Sequence, residues 1–196
     1  MKANEIIAKI LRIISVPPVM ITALISILYF CRRDIFTDIS EVFISIVLLG
    51  ILPVLAYPLQ PIIPKVKNAG RDGQRRLAFV FTFIGYLAEL IYVSFSGAGK
   101  NLLLVSLTYF LSVAILTFCN KVIKIKASGH ACSFTGPLVF LVYFIDPKLI
   151  FPCLLFAAAV IWSSVYLKRH TLPQLVCGAA VCLLSFAVSL GIVALI

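Results

Sequence analysis

The segment KIKASGHACSFTGP, residues 124–137, combines residue types that bind and transfer phosphate. Five of its positions precede an apolar run directly: Lys124, Lys126, Ser128, Gly129 and His130. The first turn of a helix has unpaired N–H groups and the positive end of the helix dipole, so it attracts anions. A glycine lets the backbone approach such a ligand, and lysines neutralise its oxygens. The segment therefore predicts a phosphate site at the start of a helix.

The only two histidines of the chain are His130 and His170. Two apolar runs, joined by the turn signal Asp146-Pro147-Lys148, fill the interval between them. The chain therefore leaves a membrane surface after His130 and returns to it at His170. Two imidazoles at one surface suit phosphoryl transfer, because one attacks phosphorus while the other protonates the leaving oxygen. The alternative is that both are interfacial polar residues without a catalytic role.

The composition is that of an integral membrane protein. Of 196 residues, 62% are hydrophobic, and the mean hydropathy is +1.14. We expect a single membrane domain over residues 1–196. The net charge of +10 comes from cations in short loops between apolar runs. That distribution indicates membrane topology, anionic headgroups or a phosphorylated substrate, and it argues against nucleic acid.

Seven apolar runs predict an all-α, polytopic bundle of about seven membrane-spanning helices: 13–31, 42–63, 77–96 (interrupted by Glu89), 102–119, 131–145, 149–167 and 172–196. Pro17-Pro18 should kink the first helix. The N-terminal run also resembles a signal peptide, but no small-residue cleavage motif follows it, so we expect a first span.

The distribution of lysine and arginine predicts the orientation. Most of these cations fall on the face that carries both histidines, whereas Arg32, Arg33, Lys100 and Lys148 fall on the other. The positive-inside rule therefore predicts that the histidine face lies in the cytoplasm, and we expect the protein to reside in the cell membrane. The six cysteines form no CxxC pair and are interpreted as small apolar residues. Two histidines and scattered acids predict no metal site and no cofactor.

Two motifs resemble the type 2 phosphatidic acid phosphatase superfamily, which includes lipid phosphatases and polyprenyl diphosphate phosphatases. Ser128-Gly129-His130 resembles its second motif. The stretch WSSVYLKRHTLPQLVCGA, residues 162–179, resembles its third, with Val165-Tyr166-Leu167, His170 and Gly178 in register. The His-Thr-x-x-Gln form is similar to a bacterial and archaeal branch, in which a basic loop like RDGQRR, residues 71–76, precedes the third span. The resemblance implies a phosphatase-like core over about 42–196.

The resemblance also implies roles for individual residues. His170 would be the nucleophile that forms a phosphohistidine, and His130 the general acid for the leaving group. Ser128 and Gly129 would cradle the phosphate, and Lys126 would add positive charge. The implied mechanism is independent of metal ions.

Three positions depart from the superfamily pattern. Ser164 stands where an arginine is expected, and its replacements would be Lys168, Arg169 or the loop arginines Arg71, Arg75 and Arg76. Gln174 stands where an aspartate is expected; one turn beyond His170, it can still accept an N–H hydrogen bond and fix the tautomer. The usual first motif, a lysine followed by Arg-Pro, is absent near 115–126.

The predicted function is hydrolysis of a phosphomonoester or diphosphate on a lipid of the polyprenyl diphosphate or phosphatidate type. The substrate would enter from the surrounding membrane lipids. Two alternatives stay open. The changes at Ser164 and Gln174 favour a lipid-phosphate binding protein without turnover on the same scaffold. Glu89, a carboxylate within a span, favours a transporter or channel.

Overall fold

A computed structural model describes residues 3–196, except the side chains of residues 71 and 72. This part of the chain is helical and contains no strand. Its α-helices are α1 Ala3–Ile14, α2 Pro17–Cys31, α3 Ile39–Ser45, α4 Leu52–Leu59, α5 Gly70–Phe95, α6 Lys100–Phe118, α7 Gly129–Phe144, α8 Ile150–Tyr166 and α9 Leu172–Leu195. A π-helical stretch, Ile46–Ile51, joins α3 to α4 in one rod, and a second, Cys119–Ile123, extends α6.

Five segments of the described chain are long and apolar enough to cross a membrane: Ile39–Leu59, Gly73–Phe95, Lys100–Ile123, Pro147–Tyr166 and Leu172–Leu195. The pair α1 and α2 would add a sixth if its two bent halves form one span. The helix predicted at 131–145 corresponds to α7, which is apolar but has only 16 residues. The all-helical architecture is therefore compatible with an integral membrane protein.

The N-terminal helix differs from the prediction of one span over 13–31. The chain bends by 58° between α1 and α2. Pro17 and Pro18 occupy the first turn of α2, and Val16 before them is extended. Proline disfavours helical backbone in the preceding residue, so the first helix ends and a second begins at Pro17. Residues 13 and 14 consequently belong to α1.

α1 is amphipathic and packs against α8. One face exposes five isoleucines, namely Ile6, Ile7, Ile10, Ile13 and Ile14. The other face carries Ala8, the partly exposed Arg12 and, directly after the helix, Ser15. Ala8 and Ser15 are both 0% exposed. The spacing of these three residues places them on one side of the helix, turned towards the bundle.

The bundle is built around α9, which packs against α6 and α7. α5 lies against α4 and α6, and α2 contacts α7 and the first π-helical stretch. Phe134 and Phe140 of α7 are almost completely buried in this core. Small residues permit the close helix approach: a Cβ atom on Gly85 of α5 would collide with the carbonyl oxygen of Leu48.

The two ends of the bundle are defined by contacts of α2 and α7, which run in the same direction. At the end where both helices begin, Ser15 lies beside His130. At the end where both finish, Arg32 donates a hydrogen bond to the carbonyl oxygen of Phe144 at 2.7 Å. We call these the histidine end and the Arg32 end. The guanidinium of Arg32 caps the last turn of α7, where a cation is favoured.

Candidate functional site

The loops that carry the two histidines meet at the histidine end. The backbone N–H of Ser128 donates to the carbonyl oxygen of Gln174 at 2.9 Å, which joins the start of α7 to the first turn of α9. Gly178 allows this approach: a Cβ atom there would collide with the carbonyl oxygen of Ser128 and lie 3.1 Å from Cβ of Ala131. The sequence-based expectation that both histidine loops share one end of the bundle agrees with this geometry.

His130 lies in the first turn of α7, and its ring contacts Ser15 and Phe134. The hydroxyl of Ser128 caps the helix by accepting a hydrogen bond from the N–H of Ala131 at 3.2 Å. Nε2 of the His130 ring lies 3.2 Å from Oγ of Ser15. On its other side the ring packs edge-on against Phe134, with centroids 5.7 Å apart. These contacts fix the position of one imidazole at the helix start.

His170 is partly exposed in the turn between α8 and α9. Thr171 and Gln174 form a capping box, in which the Gln174 side chain accepts from the N–H of Thr171 at 3.3 Å. The same side chain is hydrogen-bonded to the His170 ring. Burial lowers the pKa of His170, the bond to Gln174 opposes this change, and the charges of Arg12 and Arg75 lower the pKa further. This environment favours the neutral imidazole.

Arg12 and Ser15 are site residues that the sequence interpretation missed. In the sequence, Arg12 is only one of the many lysines and arginines whose distribution predicts the orientation. In the structure it lies three residues before Ser15, whose Oγ is 3.3 Å from the Arg12 carbonyl oxygen. The positive charge of Arg12 disfavours protonation of both imidazoles. No local pattern links residues 12–15 to the histidine motifs, more than a hundred residues away, so only the packing of α1 identifies them.

The predicted phosphate-binding residues occupy two kinds of position. Ser128 is 2% exposed, and its hydroxyl already caps α7. Gly129 is partly exposed beside His130. The predicted cations are all exposed, namely Lys126, Arg75, Arg76 and Arg169. Among these, Arg75 is close enough for its charge to act on His170. The side chain of Arg71, another candidate of the basic loop, lies outside the described part of the structure.

Ser164, where the superfamily pattern has an arginine, is 0% exposed on α8. Its hydroxyl has no hydrogen-bond partner among the described residues. Its neighbour Ser163 is equally buried and donates to the carbonyl oxygen of Val160 at 3.1 Å. The inner side of α8 near His170 therefore carries hydroxyl groups and no cation.

Glu89 does not belong to the histidine site. It lies 14 residues beyond Arg75 on α5, about 21 Å along the helix axis. It is 0% exposed and accepts a hydrogen bond from Oγ of Ser45 at 2.6 Å. The carboxylate thus joins α3 to α5 towards the Arg32 end.

The described residues contain no group of three or more histidine, cysteine or acidic side chains that could hold a metal ion. All six cysteines are free thiols. The candidate site consists of two imidazoles, the first turns of two helices, and the nearby charges of Arg12 from α1 and Arg75 from α5. Comparison of the chain with known protein families, characterised proteins and solved structures gives no match.

Proposed function

We propose that the protein hydrolyses a phosphomonoester or diphosphate of a membrane lipid, with His170 as nucleophile and His130 as general acid. The observation that carries this proposal is the meeting of the only two histidines at one end of an apolar bundle. The resemblance of their surroundings to the type 2 phosphatidic acid phosphatases supports the same chemistry. It also supplies the assignment of the two roles.

In the first step a ring nitrogen of His170 attacks phosphorus and the P–O bond to the lipid breaks. The leaving oxygen takes a proton from His130. In the second step water attacks the phosphohistidine and gives its proton to His130, which releases inorganic phosphate and restores both imidazoles. The side chain of Gln174 is hydrogen-bonded to the His170 ring and would orient it. The lowered pKa of His170 favours the neutral form that a nucleophile requires.

The proposed setting is a seven-span bundle, with α2 and α7 as its short members and the histidine end in the cytoplasm. Phosphates of lipids lie at the depth of the headgroups, where helix ends and their loops are found. A substrate of the polyprenyl diphosphate or phosphatidate type would reach the histidines from the bilayer. Lys126, Arg75, Arg76 and Arg169 surround this end with positive charge that attracts it.

The first test is phosphate release by the purified protein in detergent. Polyprenyl diphosphate, phosphatidate and phosphatidylglycerol phosphate would be supplied to the wild type and to His130→Asn and His170→Asn. We expect both substitutions to abolish release from a substrate that the wild type hydrolyses. Lys148→Ala, an exposed cation at the Arg32 end, is the control and should keep wild-type activity.

The two histidines are distinguished by the leaving group. p-Nitrophenyl phosphate needs no proton on its leaving oxygen, so His130→Asn should retain far more activity on it than on a lipid phosphate. His170→Asn should lose both activities and form no acid-labile phosphoprotein. Binding of these lipids without any phosphate release by the wild type would contradict the enzyme and identify a lipid-phosphate binding protein.

A further inference from the structure

We propose that Arg12 binds the phosphate group of the substrate, so that the N-terminal helix α1 completes the site. This inference rests on the proposed function and deepens it. α1 lies outside the segment that carries the two motifs, and neither motif assigns it a role. The proposal makes the site a composite of α1, the start of α7 and the turn before α9.

The helical spacing of α1 sets the direction in which the Arg12 side chain leaves its helix. Ala8, Arg12 and Ser15 follow the i, i+4, i+7 spacing of one helix face. The residues on either side of Arg12 on this face are both 0% exposed. Ser15 touches the His130 ring, with 3.2 Å between Oγ and Nε2. The side chain of Arg12 therefore leaves α1 on the side of the histidines.

Arg12 is more buried than the other described cations at the histidine end. Lys126, Lys168, Arg169, Arg75 and Arg76 are all exposed, whereas Arg12 is partly buried. A guanidinium binds phosphate through two parallel hydrogen bonds in a fixed plane. This interaction is stronger where protein excludes part of the water. Arg12 is thus the described cation best placed to bind the oxygens of a phosphate between the imidazoles.

α8, against which α1 packs, contributes no cation to the site. Its inner side carries Ser163 and Ser164, which are too short and uncharged to neutralise a phosphate. Arg12 of α1 is therefore the cation nearest to this side of the site that α1 and α8 together provide.

The face of α1 opposite to Arg12 is formed by exposed isoleucines. An amphipathic helix of this kind lies at the boundary of headgroups and acyl chains. Arg12 would then stand at the depth of a lipid phosphate, which favours a lipid over a soluble phosphate ester.

The experiment measures phosphate binding separately from turnover. Calorimetry with inorganic phosphate and with a short-chain phosphatidate would be done on the detergent-purified full chain and on Arg12→Ala and Arg12→Lys. Lys9→Ala is the matched control, because Lys9 is an exposed cation of the same helix, paired with Glu5 at 2.7 Å. We expect Arg12→Ala to weaken binding of both ligands by about 10- to 100-fold, as for a lost charge-assisted hydrogen bond. Lys9→Ala should bind like the wild type.

Further readouts separate binding from a structural role. Methylguanidinium added to Arg12→Ala should restore binding if the guanidinium itself holds phosphate, and Arg12→Lys should retain part of the affinity. Unchanged binding in Arg12→Ala, a loss that methylguanidinium does not restore, or no phosphate binding by the wild type would overturn the proposal. Binding that depends on Arg12 in a protein that hydrolyses no lipid would overturn the proposed function alone. Stronger binding of phosphatidate than of inorganic phosphate is expected for a lipid site.

Discussion

At the scale of residues, the two imidazoles have different surroundings. His130 is held between Ser15 and Phe134, whereas His170 is held by Gln174 and acted on by two arginines. A nucleophile benefits from a neutral ring, and a general acid benefits from a fixed proton position. The surroundings of His170 are consistent with the nucleophilic role proposed for it.

The titration of His170 follows from its neighbours. Burial and the charges of Arg12 and Arg75 place its pKa below its ordinary value of about 6.5. Because a nearby cation disfavours the protonated ring, Arg75→Ala should raise this pKa. Heteronuclear NMR of the imidazoles measures it directly, since the chain has only two histidines. A midpoint that is unmoved by Arg75→Ala would contradict the proximity of the two groups.

Ser15 is expected to act as a positioning residue for His130. Ser15→Ala removes the contact to Nε2 and should lower kcat for a lipid phosphate by about 2- to 10-fold, the range for one hydrogen bond. KM should stay near the wild-type value, and the loss should be smaller with p-nitrophenyl phosphate, which needs no general acid. Ser185→Ala is the control: this buried serine bonds the carbonyl oxygen of Val181 within α9. An equal loss on both substrates would contradict the positioning role.

At the scale of elements, the site depends on the contact between α7 and α9. The hydrogen bond from Ser128 to Gln174 and the absence of a side chain at Gly178 bring the two helix starts together. The capping residues Ser128, Thr171 and Gln174 fix where each helix begins. The first turns of both helices therefore have little freedom to shift relative to each other.

Gly178→Ala tests this contact. The added methyl group would collide with backbone, so α9 must move away from α7. Such overpacking costs about 1–3 kcal/mol. We expect a lower thermal midpoint and a reduced rate of phosphate release. Gly191→Ala is a matched control on the same helix, because a Cβ there meets nothing within 4 Å. Equal stability of the two variants would show that the helices do not need this close approach.

At the scale of the whole molecule, the bundle separates two ends. The first turns of α2, α7 and α9 lie at the histidine end, and the last turns of α2 and α7 lie at the Arg32 end. Glu89 lies towards the Arg32 end and is engaged by Ser45. The proposed phosphate site and this buried carboxylate are therefore spatially separate.

Labelling in intact membranes tests this organisation. Cysteines introduced by Lys126→Cys and Lys168→Cys should react with an impermeant maleimide from one side, which we expect to be the cytoplasm. Cysteines introduced by Lys100→Cys and Lys148→Cys should react from the other side. The parent chain, with its native cysteines, gives the background. Labelling of residues 126 and 168 from opposite sides would eliminate the proposed pairing of the histidines.

The sequence by itself determined the helical class and the approximate extent of most helices. It also determined the expectation that both histidines share one surface. These features depend on local information: apolar run length, turn residues and capping residues such as Ser128 and Gln174. The sequence predicted a bend at Pro17-Pro18, but only the tertiary structure decided that α1 packs so that Ser15 lies beside His130. Which helices become neighbours depends on how side chains from distant segments pack. The periodicity of apolar residues along the chain does not specify these contacts.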